Sequence, residues 1–117
     1  MAWLRRSWVG SIEVLANLQV GDLLLDPAQR QLVAPPSQVI KLTNLEFRLL
    51  YLLMSHHGQV LETNVIIDRV WGSYSDGGDS ILLKNLVYRV RNKIELDPHQ
   101  PRYILNVAGE GYMFQAN

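Results

Sequence analysis

Residues 43–57 constrain the fold most, because they predict a helix that is apolar on almost every side. Its apolar residues are Leu45, Phe47, Leu49, Leu50, Leu52, Leu53 and Met54. A surface helix carries one apolar stripe, so a helix that is apolar all round must be enclosed by other elements. Thr43 and Glu46 have the spacing of a capping box, which accounts for Glu46 without a catalytic role. Gly58 is positioned to end the helix. The rest of the chain must therefore fold around this segment.

The composition is that of one folded domain without overall charge. A length of 117 residues suits one domain, and 48% apolar with 19% charged residues is typical of a globular protein. The 11 basic and 11 acidic residues balance, so nucleic-acid binding would have to depend on local charge. The lack of cysteine excludes disulfides and thiolate metal sites and fits a reducing compartment. No apolar run approaches the ~20 residues of a membrane span, so we expect a cytoplasmic protein without a membrane partner.

Short apolar runs on both sides of the central helix predict strands. Four runs precede it, separated by turn-forming glycine, aspartate and proline, and they predict an antiparallel sheet: 18–20, 23–25, 31–33 and 39–42. Near the other end, residues 103–107 and 112–114 flank Gly109 and Gly111 and predict a hairpin. Residues 1–17 follow neither period. They are assigned as an N-terminal extension or linker, part of which should pack, and the domain is assigned to residues 18–117.

Two further helices are predicted between the central helix and the hairpin. The first spans residues 63–71, and the second spans residues 81–96 with Ser80 or Asp79 as its cap. A glycine- and aspartate-rich loop joins them. The apolar residues of the third helix fall on one face of a 3.6-residue period: Leu83, Leu86, Val87, Val90 and Ile94. This helix should therefore pack one face on the core.

The third helix also concentrates positive charge that the overall balance conceals. Its cationic residues within 81–93, where there is no acid, are Lys84, Arg89, Arg91 and Lys93. The face opposite the apolar one carries Asn85, Tyr88, Arg89 and Asn92. Arginine can bond guanine and asparagine can bond adenine in the major groove, while lysine, arginine and tyrosine can hold phosphates. On this helix alone, a solvated amphipathic surface explains the pattern as well.

The order of the elements favours DNA binding over that alternative. Helix, short helix, loop, polar-faced helix and glycine-turned hairpin is the order of a winged helix-turn-helix, whose third helix enters the major groove. The sequence gives little support for metal binding or catalysis. His56, His57 and His99 lack metal-ligand spacing, and no phosphate-binding loop, nucleophile elbow or zinc-protease motif occurs. We expect no enzyme, no metal and no cofactor.

Several separated segments then resemble the OmpR/PhoB-type effector domain of bacterial response regulators. The similarity runs from about Leu18 to Phe114. The matching segments are LTNLEFRLL at 42–50, GQVL at 58–61, VWG at 70–72, RVRNKI at 89–94, DPHQPRYI at 97–104 and VAGEGYMF at 107–114. Together and in this order they are far more specific than any one of them.

The resemblance implies an α+β winged helix-turn-helix fold with an N-terminal four-stranded antiparallel sheet, three helices and a C-terminal β-hairpin wing. It implies a two-component transcriptional regulator that binds double-stranded promoter DNA, with a homodimer on direct repeats and RNA polymerase as further expected partners. The DNA-binding residues are then expected to be Lys84, Asn85, Tyr88, Arg89, Arg91, Asn92, Lys93, Asn106 and Gly109. The polymerase- or partner-facing loop would present Ser73, Tyr74, Asp76 and Asp79.

The sequence departs from this family at positions that usually face DNA. The third helix begins with Ile81 and Leu82 where the family has arginine and threonine, and the wing has Ala108 and Met113 where it has arginines. Fewer phosphate contacts imply weaker binding with a shallower salt dependence. The alternative function is a divergent winged-helix module that binds protein through an exposed patch and has lost specific DNA binding.

Overall fold

The computed structural model describes residues 15–72 and 80–116, and its N-terminal part is a four-stranded antiparallel sheet. The strands are β1 (Leu18–Val20), β2 (Leu23–Asp26), β3 (Gln31–Ala34) and β4 (Gln38–Lys41), in the spatial order of the sequence. Tight turns explain this simple meander. In the turn after β2, the Asp26 side chain accepts a hydrogen bond from the amide of Ala28 at 3.0 Å. All four predicted strands are confirmed within one residue at each end.

Three helices follow, and the first is the central one. They are α1 (Asn44–Ser55), α2 (Thr63–Trp71) and α3 (Ser80–Ile94). The Thr43 hydroxyl accepts from the amide of Glu46 at 3.3 Å, and the Glu46 carboxylate accepts from the amide of Thr43 at 2.9 Å. The predicted capping box is therefore confirmed. Because α1 packs against both α2 and α3, nearly all of its apolar circumference is enclosed.

The end of α3 differs from the prediction. The helix stops at Ile94, two residues before the predicted end, and Ser80 is its first described residue and not its cap. Pro98 disfavours helical geometry at Asp97. The Glu95 side chain accepts hydrogen bonds from backbone amides of the segment that follows. Asp79, the other predicted cap, lies outside the described residues.

The C-terminal sheet has one strand more than predicted. β6 (Ile104–Val107) and β7 (Gly111–Phe114) form the expected hairpin, and β5 (Val60–Glu62) pairs with β7 from the other side. A three-residue strand is too short to show an alternating pattern that can be recognised from its sequence. Its partner β7 supplies the hydrogen bonds that define it.

One core joins the two sheets to the helices. Leu25 and Leu32 of the first sheet, Leu49 and Leu50 of α1, and Phe114 of β7 are all inaccessible to solvent. The apolar face of α3 joins the same core through Leu83, Leu86, Val87 and Val90, as its periodicity predicted. Consequently, the opposite face of α3 is directed outward.

The pairing of β5 with β7 depends on Gly111. A Cβ at this residue would lie 1.9 Å from the carbonyl oxygen of Leu61 and 3.0 Å from the Cα of Glu62, both backbone atoms of β5. We predict that Gly111→Ala lowers the free energy of unfolding by about 1–3 kcal/mol or more, because the two strands must move apart. Urea denaturation measures this loss.

Gly109 provides the comparison within the same wing. Its φ is 76°, but a Cβ there meets nothing within 4 Å, and asparagine tolerates this backbone region. Gly109→Asn should therefore cost much less than Gly111→Ala. Equal stability of the wild type and Gly111→Ala would contradict the close approach of the strands.

Candidate nucleic-acid interface

The outward face of α3 carries most of the predicted DNA-binding residues. Those with exposed side chains are Lys84, Asn85, Tyr88, Arg89, Asn92 and, at 36% side-chain exposure, Lys93. Arg89 retains 56% side-chain exposure, and its guanidinium carries five hydrogen-bond donors. The exposed ring of Tyr88 lies 6.3 Å from that of His99, between ring centroids. These six side chains form a polar, cationic surface on one side of the helix.

A buried carboxylate lies beneath this surface. Glu46 of α1 is only 3% exposed, and its Oε1 accepts a hydrogen bond from the Lys93 ammonium at 2.6 Å. Its Oε2 lies 4.0 Å from Nε of Arg89. Lys93 also donates to the carbonyl oxygen of Lys41 at 3.0 Å. The sequence assigned Glu46 to capping alone, whereas the structure shows that it also joins α1 to α3.

Burial raises the pKa of the Glu46 carboxyl, but hydrogen bonds from the Lys93 ammonium and the Thr43 amide outweigh it, so the pKa is lowered from 4.5. Only the ionised carboxylate makes the full set of bonds. The ion pair with Lys93 therefore contributes to stability at neutral pH.

Two side chains near the end of α3 hold the hairpin. Arg91 donates from Nε and Nη2 to the carbonyl oxygen of Ile104, at 3.1 and 2.8 Å. Glu95, which is buried, accepts from the amides of Arg102, Tyr103 and Ile104 at 2.7–3.2 Å. Residues 91 and 95 lie one helical turn apart, so they meet the same stretch of chain.

The sequence analysis did not identify the role of Glu95. The only sequence pattern that could indicate this role is an acidic residue one helical turn after an arginine and shortly before a strand. This pattern is too common to be specific. For Arg91, which is expected to bind DNA, the structure shows an internal partner, the carbonyl oxygen of Ile104.

The wing forms one wall of a cleft beside α3. This cleft has a volume of about 690 Å³ and lies between the start of α3, the start of α2 and the hairpin. Lys84 and Ile81 line it on the helix side, and the predicted wing residues Asn106 and Gly109 line it on the other. Glu62 of β5 and Glu110 of the wing also line the cleft, so its walls carry negative charge.

Ile81 and Leu82, the aliphatic residues at the start of α3, are exposed. Ile81 is 67% exposed and Leu82 is 40% exposed. Ala108 is exposed and Met113 is partly buried. The predicted partner-facing residues Ser73, Tyr74, Asp76 and Asp79 lie outside the described residues.

Within residues 15–72 and 80–116, no group of histidine, aspartate and glutamate residues is arranged to hold a metal ion. Over the same ranges, no helix has the length and apolar character needed to span a membrane.

Comparison with known proteins defines the class of this chain. Residues 37–114 match the family model for the C-terminal domain of transcriptional regulatory proteins, so the chain belongs to that family. It is 40% identical over 96 residues to the DNA-binding response regulator MtrA of Mycolicibacterium smegmatis, covering 81% of this chain and 41% of that protein. It is 39% identical over 99 residues to the sensory transduction protein RegX3 of Mycobacterium leprae, covering 85% and 49%. The chain thus spans less than half the length of these curated relatives.

Solved structures confirm the fold. The DNA-binding domain of Klebsiella pneumoniae RstA, solved in complex with the RstA box, is 26% identical with a TM-score of 0.73, covering 85% of this chain and 96% of that one. The Thermotoga maritima response regulator DrrB, an OmpR/PhoB homologue, is 29% identical with a TM-score of 0.74, covering 86% and 44%. The predicted OmpR/PhoB-type winged helix-turn-helix is therefore confirmed.

The bonds between Glu95 and the three amides should be important for stability. We predict that Glu95→Ala lowers the free energy of unfolding by about 1–3 kcal/mol, because the buried amide of Ile104 and two partly buried amides lose their acceptor. Asp97→Ala is a matched control, since this exposed carboxylate accepts from the amide of His99 at 3.0 Å, where water can replace it. Urea denaturation of both variants measures the difference, and equal losses would contradict the role of Glu95.

The Glu46 ion pair predicts a pH dependence of stability. Because its folded-state pKa is lowered from 4.5, its contribution is present above that pH and is lost as pH falls through the folded-state pKa. The stability difference between the wild type and Glu46→Gln should therefore be largest near neutral pH and shrink in acid. Denaturation curves at pH 7 and below pH 4 test this, and a difference that does not change with pH would contradict it.

Proposed function

We propose that this chain is a sequence-specific DNA-binding effector domain of a bacterial transcriptional regulator. The observation that carries the proposal is the outward face of α3, which joins an exposed arginine, lysine and two asparagines on a helix whose other face is buried. Family membership and the DNA-binding relatives support the same function. The helix would enter the major groove, and the wing would lie against the neighbouring backbone or minor groove.

The exposed side chains suit direct readout. Arg89 would bond a guanine edge, Asn85 would bond an adenine edge, and Lys84 would approach the bases. Tyr88 and Asn92 would contact phosphates from the same face. Asn106 and Gly109 would bring the wing backbone to the DNA.

Arg91 and Lys93 take a different part in this proposal. Their donors bind the carbonyl oxygens of Ile104 and Lys41 and the carboxylate of Glu46, so a phosphate would have to compete with these partners. We propose that both residues hold the frame of the interface instead of binding phosphates. With few free cations, the slope of log affinity against log salt should have a magnitude of only about 2–4.

A homodimer on direct repeats, RNA polymerase contact through residues 73–79 and a cytoplasmic location belong to the same proposal. They rest on the family resemblance alone.

The test begins with the preferred duplex. In vitro selection from a random pool yields a duplex that the wild type favours, and a shuffled duplex of the same composition measures non-specific affinity. Fluorescence anisotropy at two salt concentrations should show salt-dependent binding to both and tighter binding to the selected one. Binding to neither duplex would instead support the protein-interaction module, for which the exposure of Ile81 is the favouring observation.

Removal of Arg89 should reduce discrimination. We predict that Arg89→Ala weakens binding to the selected duplex by about 1–3 kcal/mol and binding to the shuffled duplex far less. Arg69→Ala removes the same charge from α2 and should leave the ratio of the two affinities unchanged. An unaltered ratio in Arg89→Ala would refute base contact by this residue.

A further inference from the structure

We propose that Glu46 is a positioning residue for DNA recognition: its buried carboxylate fixes the orientation of Arg89 on the exposed face of α3. This inference rests on the proposed function and adds a residue of α1, outside the DNA-facing helix, to the machinery of base discrimination. It assigns to Glu46 a task beyond capping its own helix.

The two oxygens of Glu46 have different partners. Oε1 accepts from the Thr43 amide at 2.9 Å and from the Lys93 ammonium at 2.6 Å. Oε2 faces Nε of Arg89 at 4.0 Å. The carboxylate is thus held through one oxygen by groups on two elements, while the other oxygen is directed toward the exposed arginine.

Glu46 and Arg89 differ in exposure, so the carboxylate is held in the interior while the guanidinium can reach a ligand. The Glu46 side chain is 3% exposed, whereas that of Arg89 is 56% exposed. In this proposal, the ion pair with Nε at 4.0 Å restrains the guanidinium near its base, and the terminal nitrogens serve to pair with a guanine edge. An arginine restrained in this way loses less conformational freedom on binding, which is the general advantage of preorganisation.

The charge of Glu46 makes this role distinguishable from simple electrostatics. A negative charge beneath the DNA-facing surface opposes the binding of any phosphate backbone. Loss of this charge should therefore strengthen binding to the shuffled duplex. If Glu46 positions Arg89, the same change weakens binding to the selected duplex relative to the shuffled one.

Glu46→Gln is the main variant, because glutamine preserves the capping box while removing the charge. We expect the ratio of selected to shuffled affinity to fall about threefold to tenfold, part of the loss expected from removing the arginine itself. Glu46→Asp keeps the charge on a shorter side chain and should lower the ratio without raising affinity for the shuffled duplex. Asp22→Asn removes one negative charge from the exposed turn between β1 and β2 and should leave the ratio unchanged.

Urea denaturation establishes that each variant is folded at the temperature of the binding assay. Should Glu46→Gln not be folded there, Glu46→Asp alone decides: a lowered ratio supports positioning, and the wild-type ratio overturns it. With both folded, a wild-type ratio in Glu46→Gln overturns the proposal.

A double-mutant cycle separates this proposal from the function on which it rests. In the Arg89→Ala background, Glu46→Gln should change the ratio no further, because the residue that it positions is absent. A further fall equal to that in the wild type would show that Glu46 does not act through Arg89. If wild-type and Arg89→Ala proteins discriminate equally, the base-reading function itself fails, whatever Glu46 does.

Discussion

The attachment of the wing to α3 determines the geometry of the proposed DNA-binding surface. Arg91 binds a strand carbonyl and Glu95 binds three backbone amides just before and at the start of β6. These bonds join two opposite charges, one in the last turn of α3 and one directly after it, to backbone groups of residues 102–104, so the helix and the hairpin have a defined relative position. A helix-turn-helix with a loosely held wing would present two independent surfaces to DNA, whereas here they form one.

Charge is distributed so that a neutral chain has a cationic face. Of the four cations within residues 81–93, Arg91 and Lys93 donate to internal partners, although Lys93 is partly accessible to solvent. Arg89 lies beside the Glu46 carboxylate with most of its side chain exposed, and Lys84 is exposed. The nearby cleft adds Glu62 and Glu110. The surface therefore combines few free positive charges with hydrogen-bonding side chains, which favours discrimination between sequences over general attraction to phosphates.

The agreement between sequence and structure varies with the range of the interactions involved. The capping box at Thr43 and Glu46 and the apolar face of α3 were predicted correctly, because each depends on residues within a few turns of one helix. β5 was missed because three residues carry no readable period and depend on β7, about fifty positions away. The outward-facing positions of α3 followed from its period, whereas the partners of Arg91, Lys93 and Glu95 did not.

The sequence by itself determined the order of the elements, their approximate bounds, the central position of α1 and the family, since these follow from local periodicity, turn chemistry and motifs. Only the tertiary structure decided which cations are free and which are bound, because that depends on carbonyls and carboxylates brought together from distant segments. Glu46 illustrates the division. Its helix cap is a contact over three residues, while its bond to Lys93 spans 47 positions and arises only when α1 and α3 pack together.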